Sequence, residues 1–452
     1  MSQVDGLAAP ERRRAMFCVM LGLALSNLSN AVVNIALPDV SHSFGTSDAA
    51  TVWTVNAYQL AATVCLLPVA AMGETLGLKR VYTAGLVIFT AASLACALSP
   101  TLAALVCARL VQGAGAACIS VAGVALVRVI HPRSLISRAL ALVALAVSVP
   151  AALGPTVAAM ILAVARWPWL FLLNVPLGGL ALLLFLEVAP PGVRVARPFD
   201  LTGAVLNALA FGLLAVGVGA LGVGNSGLGL AEMIGGLICF GLLFRQQVRH
   251  PAPMVPFDLL RIPVFVLSMG TSICSYTAQI LAYVSLPFMF ERGLHLTPVA
   301  TGLLVAPWPL MTAAAAPIAG RLTNRYPAST LSAVGLLILA AGLLLMVFLP
   351  AAPANWDIVW RLALCGIGFG LFQTPNNTAM MMAGPVHRSG AAASMNAVAR
   401  YVGLTLGSAL VAVIFGLGGA RAAAFCLEAG ASFSLIGALA SSARRLSSQS
   451  HT

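Results

Sequence analysis

From Thr101 to Val127 the chain runs apolar with one charge in it, Arg109. At 1.5 Å per residue such a run is long enough to cross the hydrocarbon of a bilayer. Arg109 stands about 12 Å in from its start, a depth at which a guanidinium is costly unless it faces protein or water. Gln112 lies one turn on, and Gly113 and Gly115 let a neighbouring helix come close. A buried charge, a polar companion and a thin packing face on one helix mark a functional site. The plain alternative is an arginine that snorkels to the outer interface or bonds a carbonyl.

Of the 452 residues, 60% are hydrophobic and only 8% are charged. No soluble domain hides that much apolar surface, so the expected class is an all-α polytopic membrane protein. The net charge of +12 sits in short loops between apolar runs. It therefore speaks for membrane orientation and a lipid bilayer, and against a nucleic-acid partner. Nine cysteines fall singly within apolar segments, without metal spacing, and read as small core residues. Neither a metal nor a cofactor is expected. Arg12, Arg13 and Arg14 precede the first run as in a signal peptide, but that run is too long and lacks a cleavage site, so it reads as an uncleaved span.

Fourteen apolar runs can be counted, at 15–37, 51–72, 82–99, 102–128, 137–164, 167–188, 201–222, 229–249, 262–290, 298–320, 328–349, 356–382, 390–416 and 423–441. Alternate connections hold eighteen of the 24 lysines and arginines against four in the opposite set, Arg166, Arg292, Arg361 and Arg421. That asymmetry places both termini in the cytoplasm, in a multi-pass protein of the cytoplasmic (inner) membrane. Trp53, Trp167, Trp169, Trp356 and Trp360 fall at the outer ends, as an aromatic belt should. The expected organisation is a tail at 1–14, a six-helix bundle at 15–188, a linker with two additional helices at 189–261, a second six-helix bundle at 262–441 and a tail at 442–452. A faint repeat supports two related halves. Arg109-Leu-x-x-Gly-x-Gly is echoed by Arg361-Leu-x-x-x-Gly-x-Gly, and the span end at Glu74 by that at Asn324. Chance similarity between Gly/Leu-rich helices is the competing explanation.

Polar residues repeat at helical spacing in matching places of the two halves. Asn27, Asn30 and Asn34 lie on span 1, Arg109 and Gln112 on span 4, Tyr276, Gln279 and Tyr283 on span 9, and Gln373, Asn376 and Asn377 on span 12. Each set covers a narrow arc of its helix and can face inward together. Four such stripes imply a wet, substrate-accepting cavity; taken singly, each amide or phenol could only tie two helices together. Asn56, Tyr58 and Gln59 line its outer part, while Trp308 and Arg400 with Tyr401 add an aromatic wall and a second charge.

At these residues the chain resembles the major facilitator superfamily, specifically the fourteen-helix drug:proton antiporter group. The resemblance covers about 25–411. Its pieces are Val33-Asn-Ile-Ala-Leu-Pro38, Trp53-Thr-Val-Asn-Ala-Tyr-Gln-Leu60, Arg109-Leu-Val-Gln-Gly113, Gly154-Pro155 and Trp169-Leu-Phe-Leu-Leu-Asn-Val-Pro-Leu-Gly178, then Gly302-Leu-Leu-Val-Ala-Pro307, Gly366-Ile-Gly-Phe-Gly-Leu-Phe-Gln-Thr-Pro-Asn-Asn377 and Gly390-Ala-Ala-Ala-Ser394. The resemblance implies alternating access between two six-helix bundles, with protons as coupling ion. It also implies a coupling role for Arg109 and Gln112, tight bendable packing at Gly154 and Pro155, and gating contacts of Glu74 near Lys79 and Arg80. The chain departs from the family pattern in span 1, where Ser29 replaces the usual aspartate, and in the first loop, where Glu74 replaces another.

None of the twelve acids falls mid-span in the expected bundles, and all six histidines lie in loops or the tail. A core with Arg109 and Arg400 and no carboxylate is expected to suit neutral or anionic substrates better than cations. Coupling then falls to a peripheral acid, Glu74 or Glu291 first. The expected function is export of a small molecule, a multidrug or metabolite efflux driven by the proton gradient, by a monomer. Uptake or exchange of a small organic anion is the runner-up, followed by a non-transporting sensor that keeps the fold. No Ser–His arrangement, intramembrane His/Asp cluster or nucleotide loop points to an enzyme or an ATP-driven pump.

Overall fold

In hydrocarbon every backbone N–H and C=O must be paired inside the protein, and a helix does this within one segment. The computed structural model describes residues 7–449 apart from 133–134, 189–199, 223–225, 250–256, 324, 351, 384–388 and 418. Among the described residues it holds helices and no strand. The long helices are α1 (Ala9–Phe44), α2 (Trp53–Leu76), α3 (Leu78–Ala97), α4 (Leu102–Ile130), α5 (Ile136–Val164) and α6 (Asn174–Val188). Then come α7 (Leu201–Gly222) and α8 (Ser226–Arg249). The later set is α9 (Pro263–Phe288), α10 (Pro307–Leu322), α11 (Ala328–Val347), α12 (Asn355–Met382), α13 (Ser389–Leu417) and α14 (Ala422–Gln449).

Twelve of these, with their adjoining turns, are long and apolar enough among the described residues to cross a membrane. The expected fourteen is not reached by that measure. The described apolar parts of α5 and α7 are the shorter stretches Leu153–Val164 and Leu201–Gly217. Several helices outrun the apolar runs from which they were expected. Helix α1 begins at Ala9, inside the expected tail, and continues through Asp39 to Phe44. A π-helical turn, Met289–Gly293, prolongs α9 past Glu291. Both acids therefore lie within candidate spans, Ala9–Phe44 and Pro263–Gly293, rather than beside them. Helix α14 likewise carries on to Gln449, through residues expected as a tail. A stretch of polar side chains ends a hydropathy run without ending a helix, because helix hydrogen bonds do not depend on the side chain being apolar.

The chain divides into two compact units. The first comprises Met1–Val33, Trp53–Leu213 and Gly235–Met254, the second Asn34–Val52, Leu214–Ile234 and Val255–Thr452. In the first unit α1 is pinned by two phenols: Tyr82 Oη donates to Cys18 O at 2.9 Å and Tyr58 Oη to Ser26 O at 2.9 Å. Tyr82 also stacks, tilted, on Phe185 of α6 with ring centroids 4.5 Å apart. Helix α7 is tied to α2 by Asn207, whose Nδ2 donates to Val64 O at 2.8 Å. At the start of α7, Asp200 caps Gly203 N at 2.8 Å and accepts from Gln246 and Gln247 of α8 at 2.8 and 2.7 Å.

The internal repeat reappears as packing. Gly113 of α4 lies against the Tyr58 carbonyl of α2, and Gly366 of α12 lies against the Trp308 carbonyl of α10. Two residues on, across the helix, the pattern repeats: a Cβ on Gly115 would stand 2.7 Å from Phe89 N, and one on Gly368 2.5 Å from Leu339 N. Real Cβ atoms do not come so close, so each helix lies against its neighbour's backbone only because these positions lack a side chain. The same glycine pair performs the same task inside each unit.

Candidate functional site

In the first unit Arg109 is fully buried. Its Nε donates to Thr54 O at 3.0 Å and its Nη1 to Gln112 Oε1 at 2.5 Å. The guanidinium carbon lies 4.2 Å from the Tyr58 ring centroid and 5.6 Å from that of Phe171. Gln112 in turn donates to Ser93 Oγ at 2.7 Å and Ser29 Oγ at 3.2 Å, which joins α1, α3 and α4. Ser29 thus takes part in the network as a neutral acceptor. The guanidinium is held by carbonyl oxygens and two π faces, and its Nη2 has no hydrogen-bond partner. A charge is affordable here only because several weaker acceptors share it.

Asn56 and Gln59 lie on α2, one helical turn apart, with Asn56 4% exposed and Gln59 wholly buried. All four of their side-chain polar atoms lack a partner, as does Thr54 Oγ1. On α1, Asn27 Nδ2 turns back to Leu23 O at 2.7 Å, and Asn30 leaves its Oδ1 unpaired. Gly154 of α5, followed by Pro155, lies against Ala31 of α1 so closely that a Cβ would overlap it. Arg80 is exposed at the start of α3. The side chain of Glu74 lies outside the described residues, and so does Asn324.

In the second unit Gln373 Nε2 donates to Tyr276 Oη at 2.9 Å, and Arg400 lies within electrostatic reach of that phenol. Arg400 also stands 4.8 Å from the Tyr401 ring centroid. Tyr283 meets the buried Trp308 edge-on with centroids 4.9 Å apart, beside the half-buried Gln279. Trp308 Nε1 and Asn377 Oδ1 have no partner. Asn34 belongs to this unit, apart from Asn27 and Asn30. The expected stripe on α1 is therefore divided between the two units.

The family model of the Major Facilitator Superfamily matches residues 19–408. The chain belongs to this family. An uncharacterized transporter of Escherichia coli (strain K12), YebQ, is 44% identical over 445 residues, 98% of this chain and 97% of that one. The multidrug resistance protein Stp of Mycobacterium tuberculosis is 31% identical over 398 residues, 86% of this chain and 73% of that one. The riboflavin transporter RibZ of Clostridioides difficile is 27% identical over 402 residues, 88% and 87% of the two chains. Among solved structures, a POT family transporter in complex with a thioalcohol-conjugated peptide superposes with a TM-score of 0.73 at 13% identity, covering 94% of both chains. That likeness concerns the fold alone.

Asn376 of this facilitator is hydrogen-bonded on both sides of its amide. Asn376 donates to Ser268 O at 3.1 Å and Ser272 Oγ at 2.8 Å of α9, and accepts from Arg444 Nη1 at 2.9 Å. It ties three helices, which is the alternative weighed for such amides. Arg444 escaped the sequence reading. It is 3% exposed, and its Nη1 also donates to Ser268 Oγ at 2.7 Å while its Nη2 meets Ser441 Oγ. Two arginines after an apolar run read as a tail, and only Ser441 one turn earlier hints at a polar seat.

A second unforeseen feature clasps the end of α1. Arg292 Nη1 pairs with Asp48 Oδ2 at 2.5 Å and its Nη2 donates to Ser41 Oγ at 3.1 Å, all within the second unit. The arginine side chain is 52% exposed, so the pair is worth on the order of 1 kcal/mol or less. Arg292→Asp and Asp48→Arg should each lower the melting temperature slightly, and the exchanged double variant should recover it. A thermal double-mutant cycle reads this, and additive losses would show that the two charges are not coupled.

Proposed function

We propose that this facilitator exports a small organic molecule across the cytoplasmic membrane by alternating access, with the proton gradient as its energy source. The observation that carries the reading is Arg109: a guanidinium inside a candidate span, wholly buried, with one nitrogen unpaired. A charge kept there at such cost marks function in a membrane helix far more often than it marks stability. The multidrug resistance protein among the relatives supports efflux. Counterflow in proteoliposomes with cationic, neutral and anionic compounds, with and without a pH gradient, tests it. Absence of exchange for every compound sinks it. Exchange of small organic anions is the second reading, favoured by Arg109, which bonds Gln112 of its own stripe, and by Arg400 beside Tyr401.

For proton coupling our candidate among the described acids is Glu291: like Glu232 in Gly227–Val248, it lies inside a candidate span with a buried, unpaired carboxylate oxygen, and unlike Glu232 it stands on the turn that prolongs α9 beyond Tyr276, Gln279 and Tyr283. Glu291→Gln keeps the shape and removes the titration. The expected outcome is exchange that persists while its response to an imposed pH gradient disappears. An unchanged gradient response excludes Glu291 and leaves Glu74 as the next acid to substitute.

A further inference from the structure

Asn56 and Gln59 each offer a carbonyl acceptor and an NH2 donor group, and in the first unit both are more than nine-tenths buried with all of these atoms unpaired. Three residues apart on one helix, their Cβ atoms lie about 5–6 Å from each other. They point the same way, on the side of α2 turned away from Tyr58, whose carbonyl lies under Gly113 of α4. Leaving one amide unpaired in a protein interior is expensive, and a packing residue of the same shape would be leucine. Two neighbouring amides, left unpaired, are therefore groups that await a ligand.

The ligand's chemistry follows from the four atoms. A cation would satisfy the two carbonyl oxygens and leave the NH2 groups empty; an anion would do the reverse. A molecule that presents a donor and an acceptor side by side can pair with both kinds of atom at once, as the edge of a carboxamide, lactam or imide does. We propose that Asn56 and Gln59 form a recognition site for uncharged substrates bearing such amide-like edges. The assignment rests on the transport reading above and adds the substrate class to it. It places the specificity on α2, separately from the Arg109 network on α4.

The test uses the full-length protein in detergent and in proteoliposomes, with four probes. Riboflavin and chloramphenicol are uncharged and carry amide or imide edges; tetraphenylphosphonium is a cation without hydrogen-bonding groups; salicylate is an anion. Wild-type protein is expected to exchange riboflavin and chloramphenicol. Asn56→Leu and Gln59→Leu should each raise the KM for these two about tenfold and leave the melting temperature unchanged or higher, since they remove unpaired buried groups. Asn56→Asp and Gln59→Glu, which keep the volume and lose the donors, should weaken the same two substrates. A fall in melting temperature in the leucine variants would mean that the amides are structural ties, and overturns the assignment. Leucine variants that handle the amide probes like wild type overturn it too. Exchange of only tetraphenylphosphonium or salicylate overturns the substrate class while transport itself stands. No exchange of any probe overturns the transport reading, and this assignment with it.

Discussion

Arg109→Leu is expected to abolish transport, and Arg109→Lys to restore little of it. The guanidinium spends its donors in two directions, Nε on Thr54 O and Nη1 on Gln112 Oε1, and its carbon lies within cation–π reach of the rings of Tyr58 and Phe171. A lysine keeps the charge but is a point donor without a planar face, so it cannot bridge both oxygens and stack at once. The loss also spreads. Once its oxygen is released, Gln112 is free to turn, and its bonds to Ser29 and Ser93 hold α1 and α3 to α4. Two charge-assisted bonds of about 1.5–3 kcal/mol each correspond to at least a hundredfold in rate, at about 1.4 kcal/mol per factor of ten. Counterflow of any substrate the wild type exchanges measures this, alongside thermal unfolding. Arg109→Lys with near wild-type turnover would reduce the residue to a bulk positive charge, and the functional weight placed on its geometry would be lost.

Much of this network was legible in the sequence because hydrocarbon is an unforgiving solvent. An arginine and a glutamine one turn apart in an apolar run must find partners inside the protein, so their importance shows without coordinates. The glycines at 113, 115, 366 and 368 were legible for the same reason, as places where backbones approach. What stayed hidden depends on partners far away in the chain. Nothing local distinguishes Asn376, which ties Ser268, Ser272 and Arg444, from Asn377, whose Oδ1 is left unpaired. Arg444 looked like a solvated end because hydropathy averages lose a polar residue at the edge of a window, whereas the helix carries on and buries it. Asp39 and Glu291 were set outside the spans by the same averaging. A hydropathy run tells where a helix is apolar, and a helix is longer than its apolar part.

The glycine pairs lead to the second large effect. Gly113→Ala and Gly366→Ala should each strongly destabilise the protein, although each adds only one methyl group. The new Cβ would overlap the Tyr58 carbonyl in the first unit and the Trp308 carbonyl in the second. Neither obstacle is the flexible end of a side chain, so relief requires moving a helix axis. The Trp308 and Gly366 carbonyls are further fixed by the Thr312 hydroxyl, which reaches them at 3.0 and 3.1 Å. Overpacking of this kind costs about 1–3 kcal/mol, and rigid backbone obstacles place these two sites at the upper end. Gly179→Ala and Gly270→Ala supply the contrast, since a Cβ at either meets nothing within 4 Å. There the helix gains from the substitution, by about 0.5–1 kcal/mol. Melting temperatures in detergent should therefore fall at Gly113 and Gly366 and hold or rise at Gly179 and Gly270. Matching losses at the first two would give the repeat an energetic footing, because residues far apart in sequence would be seen to carry the same load in each half. A loss at one and not the other would mean that the two halves share a pattern of glycines without sharing the packing that makes it necessary.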